Sequence, residues 1–188
     1  LASGVSKAKN LLMSEDVLAS IRAIKKLGIK VIVNKNVCEI HGAGVRGYKY
    51  KKNIVINAQN SGTVGRLISG ILIDTPYPIK IIGDKSLSKR DFKRISEPLS
   101  KFGASFNLKN NSNLPLIIKG SQKLKPIKFL ENKGSAQCKS SIIFGGIKAD
   151  GKTLIKAKKS RNHTELLFKY LKLPISIKKN KNFDFIEI

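Results

Sequence analysis

Apolar residues fall at one-face helical spacing in some stretches and alternate with polar residues in others, and the two patterns take turns along the chain. Val17, Ile21 and Ile24 form one helical stripe, and Val64, Leu67, Ile68, Ile71 and Leu72 a second. Phe92, Ile95 and Leu99 form a third, and Leu166, Leu167 and Tyr170 a fourth. Lys26-Leu27-Gly28-Ile29-Lys30-Val31, Lys101-Phe102-Gly103-Ala104-Ser105-Phe106 and Lys172-Leu173-Pro174-Ile175-Ser176-Ile177 each end a stripe and open an alternating run, at spacings of 75 and 71 residues. A hairpin-like return follows each one. The closing strands are predicted at 38–40, 114–118 and 183–188, after turn-rich residues such as Asn34-Lys35-Asn36 and Asn110-Asn111-Ser112-Asn113.

A further matching pair lies upstream in the later units. Gly62-Thr63-Val64 and Gly134-Ser135-Ala136, 72 residues apart, both begin a small-residue helix that leads to an apolar strand. Residues 54–118 therefore read as β-α-β-α-β-β, and 127–188 repeat the order. The first unit shows only its second half, so Leu1-Ala2-Ser3-Gly4 are expected to be the tail of its first helix. The pattern predicts an α/β fold: one domain over 1–188, in units of about 1–50, 51–120 and 121–188, the first truncated.

Composition narrows the possible classes. At 188 residues and 41% hydrophobic, the chain can bury the core of a sizeable domain or of a few repeated units sharing one. No run of eighteen apolar residues occurs, and the first residues lack signal-peptide regions, so a cytoplasmic protein with no membrane partner is expected. The missing initial methionine points to residues upstream. Cys38 and Cys138 form no CxxC or Cys/His set, so free thiols and no zinc site are expected. The formal charge of +25 attracts polyanions and anionic small molecules alike. Only six of the 37 basic residues are arginines, the lysines spread from Lys7 to Lys181, and aromatics are sparse at 6%, which favours a lysine-biased surface around an anion site over a nucleic-acid module.

The most informative stretch is Asn57-Ala58-Gln59-Asn60-Ser61-Gly62-Thr63-Val64-Gly65-Arg66, a run of small hydrogen-bonding residues leading into a helix. Residues 60–63 belong at that helix's N-terminus, where free N–H groups and the positive dipole end hold a phosphate or carboxylate. An ordinary capped helix start reads the same way.

Four motifs in order carry a resemblance. They are Asn60-Ser61-Gly62-Thr63 with Arg66, Gly83-Asp84-Lys85-Ser86-Leu87-Ser88-Lys89-Arg90, Gly134-Ser135-Ala136-Gln137-Cys138-Lys139-Ser140, and Ser160-Arg161-Asn162-His163-Thr164-Glu165. The chain resembles the 5-enolpyruvylshikimate-3-phosphate synthase (3-phosphoshikimate 1-carboxyvinyltransferase) family. The resemblance implies two facing domains of the inside-out α/β barrel type, each with three βαβαββ units about a pseudo-threefold axis. This chain would be most of one of them. The amino-terminal Gly-Asp-Lys-Ser type motif and the facing domain are absent from it. The implied reaction moves the enolpyruvyl group of phosphoenolpyruvate to the 5-hydroxyl of shikimate 3-phosphate and releases phosphate, in a monomer that needs no metal or organic cofactor and no nucleic acid.

Carried over by position, Asn60, Gly62 and Thr63 resemble the loop that approaches phosphoenolpyruvate, Gly62 because a side chain would hold the backbone off the ligand. Arg66 reads as a brace of that loop. Arg90 matches the arginine that grips the phosphoenolpyruvate phosphate through its planar fork. Beside it, Asp91 stands where the family usually has proline, which raises the question of a competing pair with Arg90. Ser135, Ala136 and Gln137 resemble the segment that holds shikimate 3-phosphate, and Ser160 and Arg161 a pair aimed at the same phosphate. Asn162 replaces the usual aspartate and could join Glu165 in a capping box, with His163 in the same turn.

No catalytic residue is assigned within the chain. Cys138 reads as a buried small residue, since helical spacing turns it away from Gln137 and Ser135 cannot act as its base. Asp16, Asp84, Asp91, Glu97 and Glu165 sit at expected caps and helix faces, so proton transfer is expected from the facing domain. Two other classes are weaker fits. A UDP-N-acetylglucosamine enolpyruvyl transferase would carry a reactive loop cysteine, and none occurs between residues 39 and 137. A basic RNA-binding α/β repeat module would cluster its aromatics.

Overall fold

The structure, a computed structural model, describes residues 1–50 and 52–188. Alternation and helical stripes become three sheets arranged around five helices: α1 (Glu15–Lys26), α2 (Gly62–Ile71), α3 (Lys93–Ser100), α4 (Ala136–Gly146) and α5 (His163–Tyr170). In the second sheet β4 (Val55–Asn57), β5 (Ile79–Ile82), β6 (Ser105–Lys109) and β7 (Asn113–Lys119) lie in the order β4-β5-β7-β6. The third sheet repeats that order with β8 (Lys128–Glu131), β9 (Leu154–Lys158), β11 (Phe183–Glu187) and β10 (Ser176–Lys179). In both, the first pair is parallel and joined through a helix, as parallel strands require, and the remaining pairs are antiparallel. The first sheet, β1 (Ser3–Ala8), β3 (Val37–Ala43) and β2 (Lys30–Asn34), has the order of the last three strands of the others.

Residues 1–4 are therefore not the end of a helix. Gly4 has φ +82°, outside the right-handed helical region, and β1 pairs with β3 from Ser3 opposite Ala43 to Ala8 opposite Cys38. Every β1 side chain is exposed, so no apolar alternation marked it as a strand; the backbone ladder alone defines it.

The repeat also aligns differently from the sequence match. Ser61 and Ser135 are the N-caps of α2 and α4, so Gly62 corresponds to Ala136 and the offset is 74 residues. Gly28 and Gly103 turn their chains at φ +83° and +112°, but in the third unit Lys172, at +54°, takes the left-handed position after the helix and not Pro174. The stripe of Phe92, Ile95 and Leu99 becomes a helix only from Lys93. A 3-10 turn occupies Leu87–Lys89, and the Asp91 carboxylate accepts the Lys93 N–H at 2.7 Å at the head of α3.

α2 and α4 are largely buried, whereas α5 leaves Leu166, Leu167 and Tyr170 exposed. β9 alternates exposed and buried residues, turning Ile155 and Ala157 inward. α4 is buried nearly all round, which obliges its polar side chains to find partners. Lys139 pairs with Glu165 at 2.6 Å, Ser140 bonds Thr164 at 2.7 Å, and Ser141 donates to the Arg66 carbonyl at 2.9 Å. α2 and α4 approach so closely that a Cβ on Gly70 would lie 2.1 Å from the Ser141 carbonyl oxygen. At the C-terminal end of α2 the buried Lys148 ammonium bonds the Ile71 carbonyl at 2.5 Å and Asp74 at 2.6 Å, and it also meets the Tyr48 hydroxyl. A cation there complements the negative end of the helix and ties the segment after α4 to the one after α2.

Candidate anion site at the helix starts

At the head of α2, the buried Ser61 accepts the Val64 N–H at 3.1 Å and donates its hydroxyl to the Asp16 carboxylate. The cap is thus tied to α1 while the amides of Gly62 and Thr63 keep no helical partner. Asn60 sits just before it, but its side-chain amide donates to Asp84 at 2.8 Å. Asp84 also accepts the Leu87 N–H at 2.7 Å, and these two donors hold its carboxyl below the usual carboxylate range, the Leu87 amide more strongly. Asn60 therefore joins the 57–61 loop to the 83–90 loop.

Gly62 marks a crossing point. A Cβ there would lie 3.1 Å from Arg66 Nη1 and 3.3 Å from Arg90 Nη1, so two guanidinium groups close over a bare backbone. The Arg66 guanidinium carbon stands 5.3 Å from the Phe92 ring centre, and its Nη1 donates to Gln137 Oε1 at 2.6 Å. Burial, then Arg94 and Arg90, pull its pKa down: positive charge is in excess here. Asp91 does not relieve it at Arg90, because its acceptor oxygens go to the Lys93 N–H and, at 3.9 Å, to Arg94.

The head of α4 repeats the serine cap. Ser135 caps it, accepting the Cys138 N–H at 3.3 Å, so its side-chain oxygen serves the helix first. Gln137 reaches back to α2 and donates to Thr63 Oγ1 at 3.0 Å while accepting from Arg66. Thr63, Ala136, Gln137, Arg161 and His163 line a cleft of about 160 Å³ between the two helix starts and the start of α5. Arg161 and His163 are exposed at its rim. Next to them, Ser160 Oγ is buried without a hydrogen-bond partner among the described residues, an orphan whose need a ligand oxygen would meet.

The capping box expected at α5 is not formed. Asn162 makes no side-chain capping bond, and Glu165 turns inward to the fully buried Lys139. A buried ammonium needs a carboxylate more than an exposed helix end needs a cap. Cys138 is buried, and burial first, then Glu131, pushes its thiol up to about 12; it donates to the Arg94 carbonyl at 3.2 Å. That carbonyl is free because Pro98, four residues on, has no N–H to give it.

The structure thus brings Gly62, Thr63, Arg90, Ala136, Gln137 and Arg161 together along the two helix starts, with Ser160 next in the chain to Arg161, while Ser135 lines a separate cleft with Arg94 and Glu131 and the Asn60 side chain is engaged with Asp84. Two contributors escaped the sequence reading. The Arg66 to Gln137 bond spans units 71 residues apart. Glu131, whose carboxylate accepts the Lys133 and Ser135 N–H groups at 3.1 and 3.0 Å, carries no motif. Among the described residues no three His, Cys, Asp or Glu side chains gather as metal ligands, and no helix is long and apolar enough to cross a membrane.

Repeated strand-helix units whose helix starts meet at a cleft define an α/β repeat protein. The model of the EPSP synthase (3-phosphoshikimate 1-carboxyvinyltransferase) family matches residues 1–186. The chain is 42% identical over 172 residues to the 3-phosphoshikimate 1-carboxyvinyltransferase of Caldicellulosiruptor bescii, covering 90% of this chain and 39% of that protein. It is 41% identical over 167 residues to that of Streptococcus suis, covering 88% and 39%. EPSP synthase from Acinetobacter baumannii superposes with a TM-score of 0.89 at 32% identity, over 99% of this chain and 42% of that one. The chain belongs to the EPSP synthase family. It spans about two fifths of the length of these relatives.

Proposed function

We propose that this chain is the anion-binding lobe of an enolpyruvyl transferase acting on shikimate 3-phosphate and phosphoenolpyruvate. The observation that carries the reading is the unbroken line of contacts from Arg90 over Gly62 to Arg66, and from Arg66 through Gln137 to Thr63, running to the cleft that Gln137 and Arg161 share. Two anionic substrates need two adjacent sets of donors, and the starts of α2 and α4 supply them. In this reading Arg90, Gly62, Thr63 and Asn60 face phosphoenolpyruvate. Ser135, Ala136, Gln137, Ser160 and Arg161 face shikimate 3-phosphate. Arg66 braces the boundary.

The 5-hydroxyl of shikimate 3-phosphate gives its proton to a base as its oxygen bonds C2 of phosphoenolpyruvate and C3 takes a proton from an acid; C3 then returns its proton as the C2–O bond to phosphate breaks, and the departing phosphate carries away the proton the hydroxyl lost. The chain's part is to hold both anions in line and to concentrate positive charge where phosphate leaves. Proton transfer falls to the rest of the longer protein, which closes over the substrates and excludes water. Residues 1–188 then form one domain of three units, about 1–50, 51–120 and 121–188, in a cytoplasmic monomer without nucleic-acid or membrane partners.

Isothermal titration of the 188-residue chain with shikimate 3-phosphate tests the reading. Binding is expected, without turnover, and is expected to weaken at least tenfold in Arg161→Ala, with a smaller loss in Ser135→Ala. Equal affinity in parent and Arg161→Ala, or salt-dependent retention on RNA with no response to shikimate 3-phosphate, overturns it.

A further inference from the structure

Glu131 ends β8 and is 4% exposed, yet it makes no ion pair among the described residues. Both its oxygens are spent on backbone: Oε1 accepts the Lys133 N–H at 3.1 Å and Oε2 the Ser135 N–H at 3.0 Å. Gly134, at φ +68°, supplies the left-handed turn that wraps the chain around the carboxylate. A buried carboxylate is tolerated when its lone pairs are filled and a positive dipole end faces it, and the start of α4 gives both.

This withdraws the Ser135 N–H from any ligand, while the Ser135 hydroxyl oxygen already accepts from Cys138. The free amides left at that helix start are those of Ala136 and Gln137. The start of α2 keeps half of this arrangement. Asn57, at the matching place, accepts the Gln59 N–H at 2.9 Å, but the Ser61 N–H goes to the Ala58 carbonyl, and the acid, Asp16, lies on another element and takes the Ser61 hydroxyl.

We propose that Glu131 is a positioning residue for the phosphate of shikimate 3-phosphate: it freezes residues 132–135 so that the Ala136 and Gln137 amides and the Gln137 side chain meet that phosphate in one fixed arrangement. The inference rests on the substrate reading above. A loop of two exposed residues and a glycine would otherwise sample many conformations, and the phosphate would have to order it on binding.

The test joins amide hydrogen exchange with shikimate 3-phosphate titration, both on the 188-residue chain, for the parent, Glu131→Ala and Glu131→Gln. In Glu131→Ala, exchange at Lys133 and Ser135 is expected to quicken at least tenfold, with Val64 at the α2 start unchanged, and shikimate 3-phosphate to bind about tenfold more weakly. Glu131→Gln, the same shape with one acceptor oxygen, is expected to fall between, and it keeps the question open to measurement if the alanine variant does not fold. Unchanged Ser135 exchange, or faster exchange with parental affinity, overturns the positioning role. Absence of binding in the parent itself overturns the substrate reading instead, and with it the phosphate half of this inference.

Discussion

The starts of α2 and α4 have the same serine cap and the same close packing, yet they differ one turn in. At the position after Val64 stands Gly65, against which the Phe92 ring packs so tightly that a Cβ would lie 3.1 Å from it; after Cys138 stands Lys139, fully buried and paired with Glu165. The second unit joins its two helices by an apolar contact, the third by a buried ion pair. The charge around the two starts differs as well. Arg66 and Arg90 crowd the head of α2, whereas Glu131 backs the head of α4. Helix geometry supplies the same free amides to both, and the neighbours decide what each will hold. Under the proposed function, the α2 start, with its two arginines, would take the anion that leaves as phosphate, and the α4 start, held by Glu131, the one that stays in place.

The largest test of this contrast is Lys139→Met. Removing one partner of a buried pair leaves Glu165 without its counter-ion, and a loss of about 3–5 kcal/mol is expected in urea unfolding. Gly65→Ala, at the matching place in α2, forces the Phe92 ring to yield and is expected to cost about 1 kcal/mol. Equal losses would break the comparison of the two helix pairs.

Next in size is Arg90→Ala. Losing a charged donor is expected to weaken phosphoenolpyruvate binding by about 1.5–3 kcal/mol in a protein that binds both substrates, while shikimate 3-phosphate affinity changes little. A matching loss for both ligands would show that the two starts do not divide the substrates.

The last effect, confined to alkaline pH and absent near neutrality, concerns Cys138. Unfolded, its thiol ionises near the ordinary 9.0, and folded only near 12. Between these values the unfolded state binds fewer protons, so this thiol makes stability fall as pH rises through that window and leaves it flat below. Urea midpoints of the parent and Cys138→Ala should differ in slope there; parallel curves would mean the thiol is not shielded.

Sequence and structure part company at definite places. β1 was invisible because all its side chains face solvent. The capping box failed because Glu165 answers a buried lysine on another helix, and the offset between units was misjudged because Gly134 belongs to the Glu131 loop and not to the helix.

By itself the sequence determined the alternation of strands and helices, the repeat, and which loops carry donors, since those depend on spacing and on residue type within a few positions. The tertiary structure alone decided that Arg66 meets Gln137, that Arg90 closes over Gly62, and that Glu131 rather than water satisfies Ser135. Such contacts depend on how α2 and α4 approach across some seventy residues, and that approach is set by packing the whole core, which no local pattern encodes.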